Sequence, residues 1–323
     1  MLIKCYKSIP VNGKFECFDV IGRFISNIWT KRFFDVGSFE LKLINNPLKP
    51  GDIISCGQHS GIVLKILEDE NSTSVYGYDL CGLLKQRYIW GKTEYSGSAE
   101  NIVKSIAIEV LNTGTRTIDG LYIESILNPS GGLVENVEKI CAADAVKKVC
   151  TNNNIGYDVV FTETGMTFKT LAARDKTKEI VFSSARHNIE SIEYERDEST
   201  ASNVVYYGEK QPESELVLQK TFFNGAEPCG IMRKESGTTS DDYVNFLKEH
   251  EPIETISGSA NEKLHFGSDY ILGDIVTVSY NDLCVEKQIT EVQFVYEKSG
   301  NRVIPTFGIT KDSLVKRLLS KEV

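Results

Sequence analysis

The sequence predicts an α+β fold that is mostly β, with two small β-barrel domains, an inserted small α+β domain and a peripheral turn-rich segment. Short runs of β-branched and aromatic residues, each bounded by turn residues, occur in both the first and the last third of the chain. Apolar residues at helical spacing are concentrated between them. One stretch of strand and turn residues occurs in two similar copies, and it organises the whole prediction.

The second copy of this stretch is centred on Gly273-Asp274. Tyr270-Ile-Leu precedes the dipeptide and the β-branched run 275–280 follows it; a turn at Asn281-Asp282 and an alternating segment at 289–296 come next. The run, the turn and the alternating segment are typical of a strand, a hairpin and a second strand.

The first copy has the same order around Gly51-Asp52. Strand-like residues follow at 53–56, then a polar turn at 58–61 and a second strand at 62–67. A short strand is predicted before each copy, at 39–44 and at 263–266. The pattern indicates a duplicated β unit, although Gly-Asp before a strand is also ordinary turn chemistry.

Residues 1–95 are predicted to form the first β-barrel domain. Strands are expected at 2–9, 17–29, 30–34, 38–44 and 73–78; in the fourth, Phe39, Leu41 and Leu43 share one face. Asp79 is placed to cap a short helix in which Leu80, Leu83 and Leu84 point inward.

Residues 96–178 are predicted to form the inserted α+β domain. An amphipathic helix over 98–111 can be capped by Ser96 or Ser98, and a second helix is expected over 133–153. Strands at 157–161 and 166–172, joined by a turn at 162–165, follow the second helix.

Residues 179–310 are predicted to form the second β-barrel domain, with the peripheral segment at 209–260. Strands are expected at 181–184, at 187–196 with a bend, and at 203–208 and 302–307. The peripheral segment contains one predicted helix, 240–250. Residues 311–323 are predicted to form a C-terminal helix with a basic face at Lys311, Lys316, Arg317 and Lys321.

Composition indicates a folded chain made in a cytoplasm. Of 323 residues, 41% are hydrophobic and 25% charged, and neither a membrane-spanning run nor the apolar core of a signal peptide is present. The net charge of −9 argues against tight binding to a phosphate backbone and against sequence-specific nucleic-acid recognition. We also expect no membrane insertion.

The cysteines do not predict a metal site or a disulfide framework. All eight are scattered and have no histidine at ligand spacing, so most are expected to be small core residues. They are Cys5, Cys17, Cys56, Cys81, Cys141, Cys150, Cys229 and Cys284.

No residue pattern predicts catalysis, a cofactor or a bound metal. Cys56 and His59 are close enough to form a nucleophilic pair, but a polar hairpin turn explains them more simply. Asp241-Asp242 is better explained as helix capping than as an acid/base pair. The acidic run from Glu193 to Glu198 is better explained as a solvated strand edge than as a cation site.

Four segments resemble a family of tail proteins from phages and prophages of Gram-positive bacteria. These are Thr30-Lys-Arg-Phe-Phe-Asp-Val-Gly-Ser-Phe-Glu-Leu-Lys-Leu43, Val75-Tyr-Gly-Tyr-Asp-Leu-Cys-Gly-Leu-Leu-Lys-Gln-Arg-Tyr-Ile89, the central segment from Arg174 to Gly208, and Asp269-Tyr-Ile-Leu-Gly-Asp-Ile-Val-Thr-Val278. They occur in the family's order and extend over nearly the whole chain.

The resemblance implies a structural tail-hub or baseplate-hub protein that is not an enzyme. Such a protein is a homotrimer of tube-like barrels that joins a six-fold tail tube protein to a three-fold spike or tip protein, in a phage tail or a phage-tail-like bacteriocin assembled in the host cytoplasm. A tape-measure protein or DNA would pass through its lumen. Since the chain ends at Val323, just after the basic helix, no fused cell-wall hydrolase is expected.

Two other function classes remain open from the sequence. One is a tail-tip cell-wall hydrolase or peptidase that uses Cys56; the other is a carbohydrate-binding module, which the scattered Tyr and Phe residues disfavour.

The net charge suggests an acidic lumen, and the run 275–280 is a candidate edge strand that pairs across subunits. In that case proline at Val276 would break ring assembly.

Overall fold

The computed structural model describes residues 2–210, 216–223, 225–238, 243–281 and 283–308. Strands dominate it, and the prediction of an α+β, mostly β fold is confirmed. The strands are β1 (Ile3–Tyr6), β2 (Cys17–Ile21), β3 (Ser26–Arg32), β4 (Ser38–Leu43), β5 (Ile53–Cys56), β6 (His59–Glu68), β7 (Thr73–Asp79), β8 (Tyr88–Ile89), β9 (Thr93–Gly97), β10 (Leu121–Ile123), β11 (Leu133–Val137), β12 (Ile140–Cys141), β13 (Ile155–Thr162), β14 (Gly165–Ala172), β15 (Val181–Ser183), β16 (Ile189–Asp197), β17 (Val204–Lys210), β18 (Leu216–Phe223), β19 (Glu235–Thr238), β20 (Ile253–Ala260), β21 (Ile275–Tyr280), β22 (Leu283–Glu297) and β23 (Gly300–Gly308).

The helices are α1 (Ala99–Leu111), α2 (Ala142–Asn153) and α3 (Tyr243–Glu249), with 3-10 turns at Leu80–Gln86, Gly114–Arg116 and Gly230–Met232. Both predicted caps are confirmed where the structure describes them. Ser98 accepts a hydrogen bond from the Asn101 amide at the start of α1, and Asp79 accepts one from the Cys81 amide. Within the described residues, no helix is long and apolar enough to cross a membrane.

The second predicted helix starts nine residues later than expected. Residues 133–137 form β11, which pairs antiparallel with β9 from Leu133 opposite Gly97 to Val137 opposite Thr93. The apolar residues at 133 and 137 match a helical period. Their segment nevertheless pairs with β9 as a strand, so α2 begins only at Ala142.

The predicted strand at 263–266 is also wrong. Phe266 makes only an isolated bridge to Tyr270, and β20 takes the place expected of that strand. The start of the helix predicted at 240–250, with Asp241-Asp242, and the C-terminal helix at 311–323 lie outside the described residues.

The principal sheet has thirteen strands and contains the same strand arrangement twice. Its order is β16-β20-β23-β22-β3-β4-β7-β6-β5-β1-β2, with β21 pairing β22 and β15 pairing β21. We define the first β unit as β1, β3, β4, β5, β6 and β7, and the second as β15, β16, β20, β21, β22 and β23. Strands in corresponding places occur in the same chain order in both units, which supports a duplication.

The two β units differ at their outer strands. In the first, β1 runs antiparallel to β5 and is followed by an additional strand, β2. In the second, β15 runs parallel to β21. The duplication is therefore closest in the four strands β4 to β7 and their counterparts β20 to β23.

The chain segment between the two β units packs on the first β unit. Helices α1 and α2, the 3-10 turn after Asp79 and strands β13 and β14 share a single apolar core with side chains of the first β unit such as Tyr6, Ile53 and Tyr78. The predicted domain boundaries at 95 and 178 stay predictions.

The described residues between 193 and 257, together with Gly308, form a second compact unit. It contains a three-stranded sheet, β18-β17-β19, and helix α3. Arg233 bridges Glu227 and Glu235 there, and Lys234 contacts Glu198. The acidic run from 193 to 198 lies largely exposed on β16, as predicted for a solvated edge.

Candidate assembly surface in the duplicated β units

The first Gly-Asp turn is held by a closed set of backbone and side-chain hydrogen bonds. Gly51 has a φ of 92°, and its amide donates to the Val63 carbonyl at 2.8 Å while the Val63 amide donates to the Asp52 carbonyl at 2.9 Å. The Asp52 carboxylate accepts from the Lys49 amide at 2.8 Å. Glycine is needed because this φ is strained for any residue with a Cβ.

The second turn repeats this pattern bond for bond. Gly273 has a φ of 95°; its amide donates to the Ile289 carbonyl at 2.8 Å, and the Ile289 amide donates to the Asp274 carbonyl at 2.8 Å. The Asp274 carboxylate accepts from the Ile271 amide at 2.8 Å. The local geometry therefore favours a duplicated unit over two unrelated turns.

A β-bulge follows each turn at the same place. The pairing of β6 with β7 shifts register between Val63 and Lys65, and the pairing of β22 with β23 shifts between Ile289 and Glu291. Since Val63 and Ile289 close the two turns, Lys65 in β6 corresponds to Glu291 in β22. Bulges bend a strand, so each long strand is divided into two halves.

Each aspartate is also paired with a cation, Lys7 directly after β1 in the first β unit and Arg174 a few residues before β15 in the second. Lys7 contacts Asp52 at 2.9 Å, whereas Arg174 makes a two-pronged contact with Asp274, with both N–O distances 2.7 Å. Asp274 is completely buried and Arg174 half-exposed. The sequence showed both aspartates but not their partners, which lie 45 and 100 positions away.

The two β units join through an antiparallel ladder between β22 and β3. It runs from Glu291 opposite Arg32 to Glu297 opposite Ser26, and an Arg32–Glu291 ion pair of 2.7 Å lies across it. On the core side, the His59 ring lies 4.4 Å from that of Phe294 and 5.4 Å from that of Trp29. The seam between units is thus a continuous sheet with a packed aromatic core.

Cys56 and His59 belong to this core rather than to an exposed turn. The turn consists of Gly57 and Gln58, and Cys56 pairs with His59 across the β5–β6 hairpin. Burial raises the pKa of the Cys56 thiol to about 11 and lowers the pKa of His59 to about 3. At neutral pH both the Cys56 thiol and the His59 imidazole are therefore neutral, and both are buried. The predicted polar turn at 58–61 is wrong for His59, which is the first residue of β6.

The sequence did not identify Asp79 as a titrating group. Its carboxylate is buried beside Gly37 and accepts from the Cys81 amide at 3.1 Å. Burial raises the pKa of Asp79 to about 7, against the opposing effect of the nearby Lys31 charge. A cap aspartate ahead of an apolar run could have suggested such burial.

We predict that Asp79 and His59 give opposite pH dependences of stability. Asp79 titrates near 3.8 unfolded and near 7 folded, so between these values the folded state holds the extra proton and stability falls as pH rises. His59 titrates near 6.5 unfolded and near 3 folded, so there the unfolded state holds the extra proton and stability rises with pH. Each contributes about 1.4 kcal/mol per pH unit, and the two cancel between about pH 4 and 6.5.

Urea unfolding of two variants from pH 4.5 to 6 separates these contributions. Asp79→Asn should make stability rise with pH relative to the parent, and His59→Gln should make it fall; the double variant should again follow the parent. Parallel stability curves for the two single variants would show that neither group is linked to folding.

Strand β4 is apolar on one face and carries charges of both signs on the other. Along β4, Phe39 and Leu41 are buried, while Glu40 and Lys42 alternate with them on the other, half-buried face. The cross-strand register places Lys42 in one row with Ser26 and Ser74. This second face therefore carries hydroxyl groups and charges of both signs.

The edge predicted at 275–280 is wrong. Strand β21 has β15 on one side and β22 on the other, and Val276 is completely buried. Proline there would break a ladder inside the chain. Among the described strands, β16 and β2 stand at the two ends of the sheet order.

Comparison with known proteins places this fold among phage tail proteins. A prophage MuSo2 43 kDa tail protein from Shewanella oneidensis is 10% identical, with a TM-score of 0.59 over 95% of this chain and 98% of that one. Prophage tail protein gp18 from Listeria monocytogenes EGD-e is 12% identical, with a TM-score of 0.54 over 98% and 97%. A chain of the p2 virion baseplate in its activated conformation is 11% identical, with a TM-score of 0.53 over 97% and 99%.

A search of curated proteins finds no match to the chain. The family model described as Siphovirus ReqiPepy6 Gp37-like protein matches residues 11–225 and 246–309, which is most of the sequence. The interruption in this match falls in the peripheral segment. The resemblance to a phage and prophage tail-protein family is therefore confirmed, and the chain belongs to the Siphovirus ReqiPepy6 Gp37-like family.

Proposed function

We propose that this protein is a structural tail hub, in which three copies form a ring between a six-fold tail tube protein and a three-fold spike or tip protein. The observation that carries the proposal is the pair of Gly-Asp turns with matching hydrogen bonds and bulges. A chain with two equivalent β units can present six units from three copies, so one ring can match partners of both symmetries.

Family membership and fold support a place in the tail baseplate of a virion or phage-tail-like particle, assembled in the host cytoplasm. The similar structures include prophage tail proteins and a chain of a virion baseplate. We place the protein at the distal end of the tail tube because a ring there meets a six-fold partner on one side and a three-fold partner on the other. Three copies of a chain with two similar β units can match both partners.

The face of β4 that carries charges of both signs is suited to lining the lumen of such a ring. It presents Glu40 and Lys42 together with hydroxyl groups. A lining of balanced charge lets a tape-measure protein or DNA pass without strong attraction or repulsion. The acidic lumen inferred from the net charge of the chain stays a prediction beside it.

We take the role to be structural rather than enzymatic. The residue on which the hydrolase alternative depends, Cys56, is buried under the aromatic seam with a raised pKa, whereas a nucleophilic thiol needs an accessible thiolate. The Cys56–His59 pair thus serves the packing between the two β units.

Negative-stain microscopy and mass measurement of the purified protein test the proposal. We expect three-fold rings with six similar densities around a central opening, and a mass three times 36.1 kDa. A monomer at every concentration, or rings without a three-fold axis, would contradict the hub role. Clearing of cell walls by the same preparation, lost in Cys56→Ala, would support the hydrolase instead.

A further inference from the structure

A cavity of about 340 Å³ opens where three parts of the chain meet. One wall is the β13–β14 hairpin, a second is the segment 266–272 before β21, and the rest comes from β3 and the β5–β6 hairpin. All of these belong to one compact unit of the chain. The volume falls within the range of about 300–1,000 Å³ that is usual for cavities that hold a bound molecule.

The β13–β14 hairpin has one face in the apolar core and the other in this cavity. Since side chains alternate along a strand, the buried Val159 points into the core, whereas Asp158 and Val160 point into the cavity. Lys169 stands directly opposite Asp158 in the ladder, and Leu171 follows on the same face. Val160 is 40% exposed, so this wall presents apolar surface to solvent.

The wall from the second β unit is apolar and preformed. It consists of Phe266, Ile271 and Leu272. The Phe266 ring is fixed by edge-on contacts with Tyr270, at 5.6 Å between ring centres, and with Phe294, at 5.0 Å. A ligand with an apolar group therefore meets a surface that needs little reordering.

The charges in the cavity leave one cation in excess. Among the described residues that line it, the charged side chains are those of Lys31, Asp158 and Lys169. Lys31 donates to both carboxylate oxygens of Asp158, at 3.0 and 3.1 Å, so these two charges balance. Lys169 therefore supplies an excess positive charge on a chain whose net charge is −9. Such a cavity complements a ligand that joins an apolar group to a carboxylate.

The rim of the cavity suits a peptide backbone. The exposed Gln58 carries an amide with the same donor and acceptor groups as a peptide bond. Gly57 and Gly267 flank the opening, and within the described part of the chain no atom lies within 4 Å of where their Cβ atoms would be. A backbone can approach closely there, whereas a hydrocarbon chain has no group to pair with the amide.

We propose that this cavity binds a peptide segment of a partner protein in which a large apolar residue adjoins an aspartate or glutamate. The apolar side chain lies between Leu171 and Ile271, the carboxylate faces Lys169, and the backbone pairs with Gln58. Binding here does not depend on the proposed hub function, because the cavity lies within a single chain.

Binding of the purified protein to an array of blocked peptides, whose two central positions run through every pair of residues, tests the proposal. We expect the strongest binding where phenylalanine, leucine or methionine adjoins aspartate or glutamate. Changing the acidic residue of the best peptide to its amide should weaken binding about tenfold or more, because a charge-assisted contact with Lys169 is lost. Equal binding across all residue pairs would overturn the proposal.

Two variants and a matched control locate the binding. Lys169→Glu reverses the excess charge and leaves the Lys31–Asp158 pair in place, so the preference should move to apolar residues beside lysine or arginine. Val160→Arg fills the cavity and should abolish binding. Val20→Arg, at a valine that is 47% exposed on β2 and outside the lining, should bind as the parent does. Thermal unfolding of each variant verifies that the fold is kept.

Three outcomes would overturn the proposal. The first is an unchanged residue preference in Lys169→Glu, and the second is a loss of binding in Val20→Arg as complete as that in Val160→Arg. The third uses decanoate, a carboxylate with an apolar chain and no peptide bond. If decanoate displaces the best peptide as well as unlabelled peptide does, the cavity takes free amphipathic carboxylates and the peptide assignment is wrong.

Discussion

Replacing Gly273 with alanine should lower the free energy of unfolding by about 2–5 kcal/mol. The φ of 95° costs an L-residue about 1–2 kcal/mol. A Cβ at this position would also overlap the buried ring of Phe33, which packs closely against Gly156 as well. Forcing a methyl group into a filled core adds about 1–3 kcal/mol.

Gly51→Ala is the matched control, measured by the same denaturant unfolding. Gly51 has nearly the same φ, 92°, but no atom lies within 4 Å of where its Cβ would be, so only the backbone cost of about 1–2 kcal/mol is expected. Phe33→Leu should recover part of the loss in Gly273→Ala and none in Gly51→Ala. Equal losses for the two alanine variants would mean that the Phe33 contact is unimportant.

Replacing Arg174 with methionine should cost about 3–5 kcal/mol. The change leaves the carboxylate of Asp274, which is completely buried, without its two-pronged partner. An uncompensated buried charge is among the most costly single defects in a protein. Thermal and urea unfolding at neutral pH measure the loss.

Lys7→Met is the corresponding change in the first β unit and should cost about 1 kcal/mol. Lys7 makes a single contact with Asp52, whose side chain is 7% exposed, whereas Arg174 makes two contacts with the fully buried Asp274, so solvent screens the first pair more. Adding Asp274→Asn to Arg174→Met removes the stranded charge and should recover about half of the loss. If that double variant is no more stable than Arg174→Met alone, Asp274 is not held as an ion in the fold.

Local patterns in the sequence predicted much of the element content. Ser98 and Asp79 cap the helical segments they precede, and 39–43 alternates as a half-buried strand does. These features depend on residues within a few positions of one another, so they can be read from the sequence. At 133–137 the same reasoning was wrong, because a ladder with β9 overrides a helical apolar spacing.

The candidate assembly surface could be predicted only in part. The repeat around Gly51-Asp52 and Gly273-Asp274 was visible in the sequence, and so was the family resemblance. The sequence did not show the Lys7 and Arg174 partners, the burial of His59 or which strands end the sheet. Each of these depends on contacts between distant segments. The choice of 275–280 as an edge was wrong for this reason.

The sequence by itself determined that this chain is built from two similar strand-and-turn units and belongs with phage tail proteins. Gly-Asp followed by β-branched residues specifies the same turn wherever it occurs, since the left-handed φ and the alternating side chains are local requirements. Only the tertiary structure decided that β22 joins β3, that β21 lies inside the sheet, and that β16 and β2 stand at the ends of the described sheet order. Any strand offers the same backbone donors and acceptors to a neighbour, so the choice of partner depends on the packing of the whole chain.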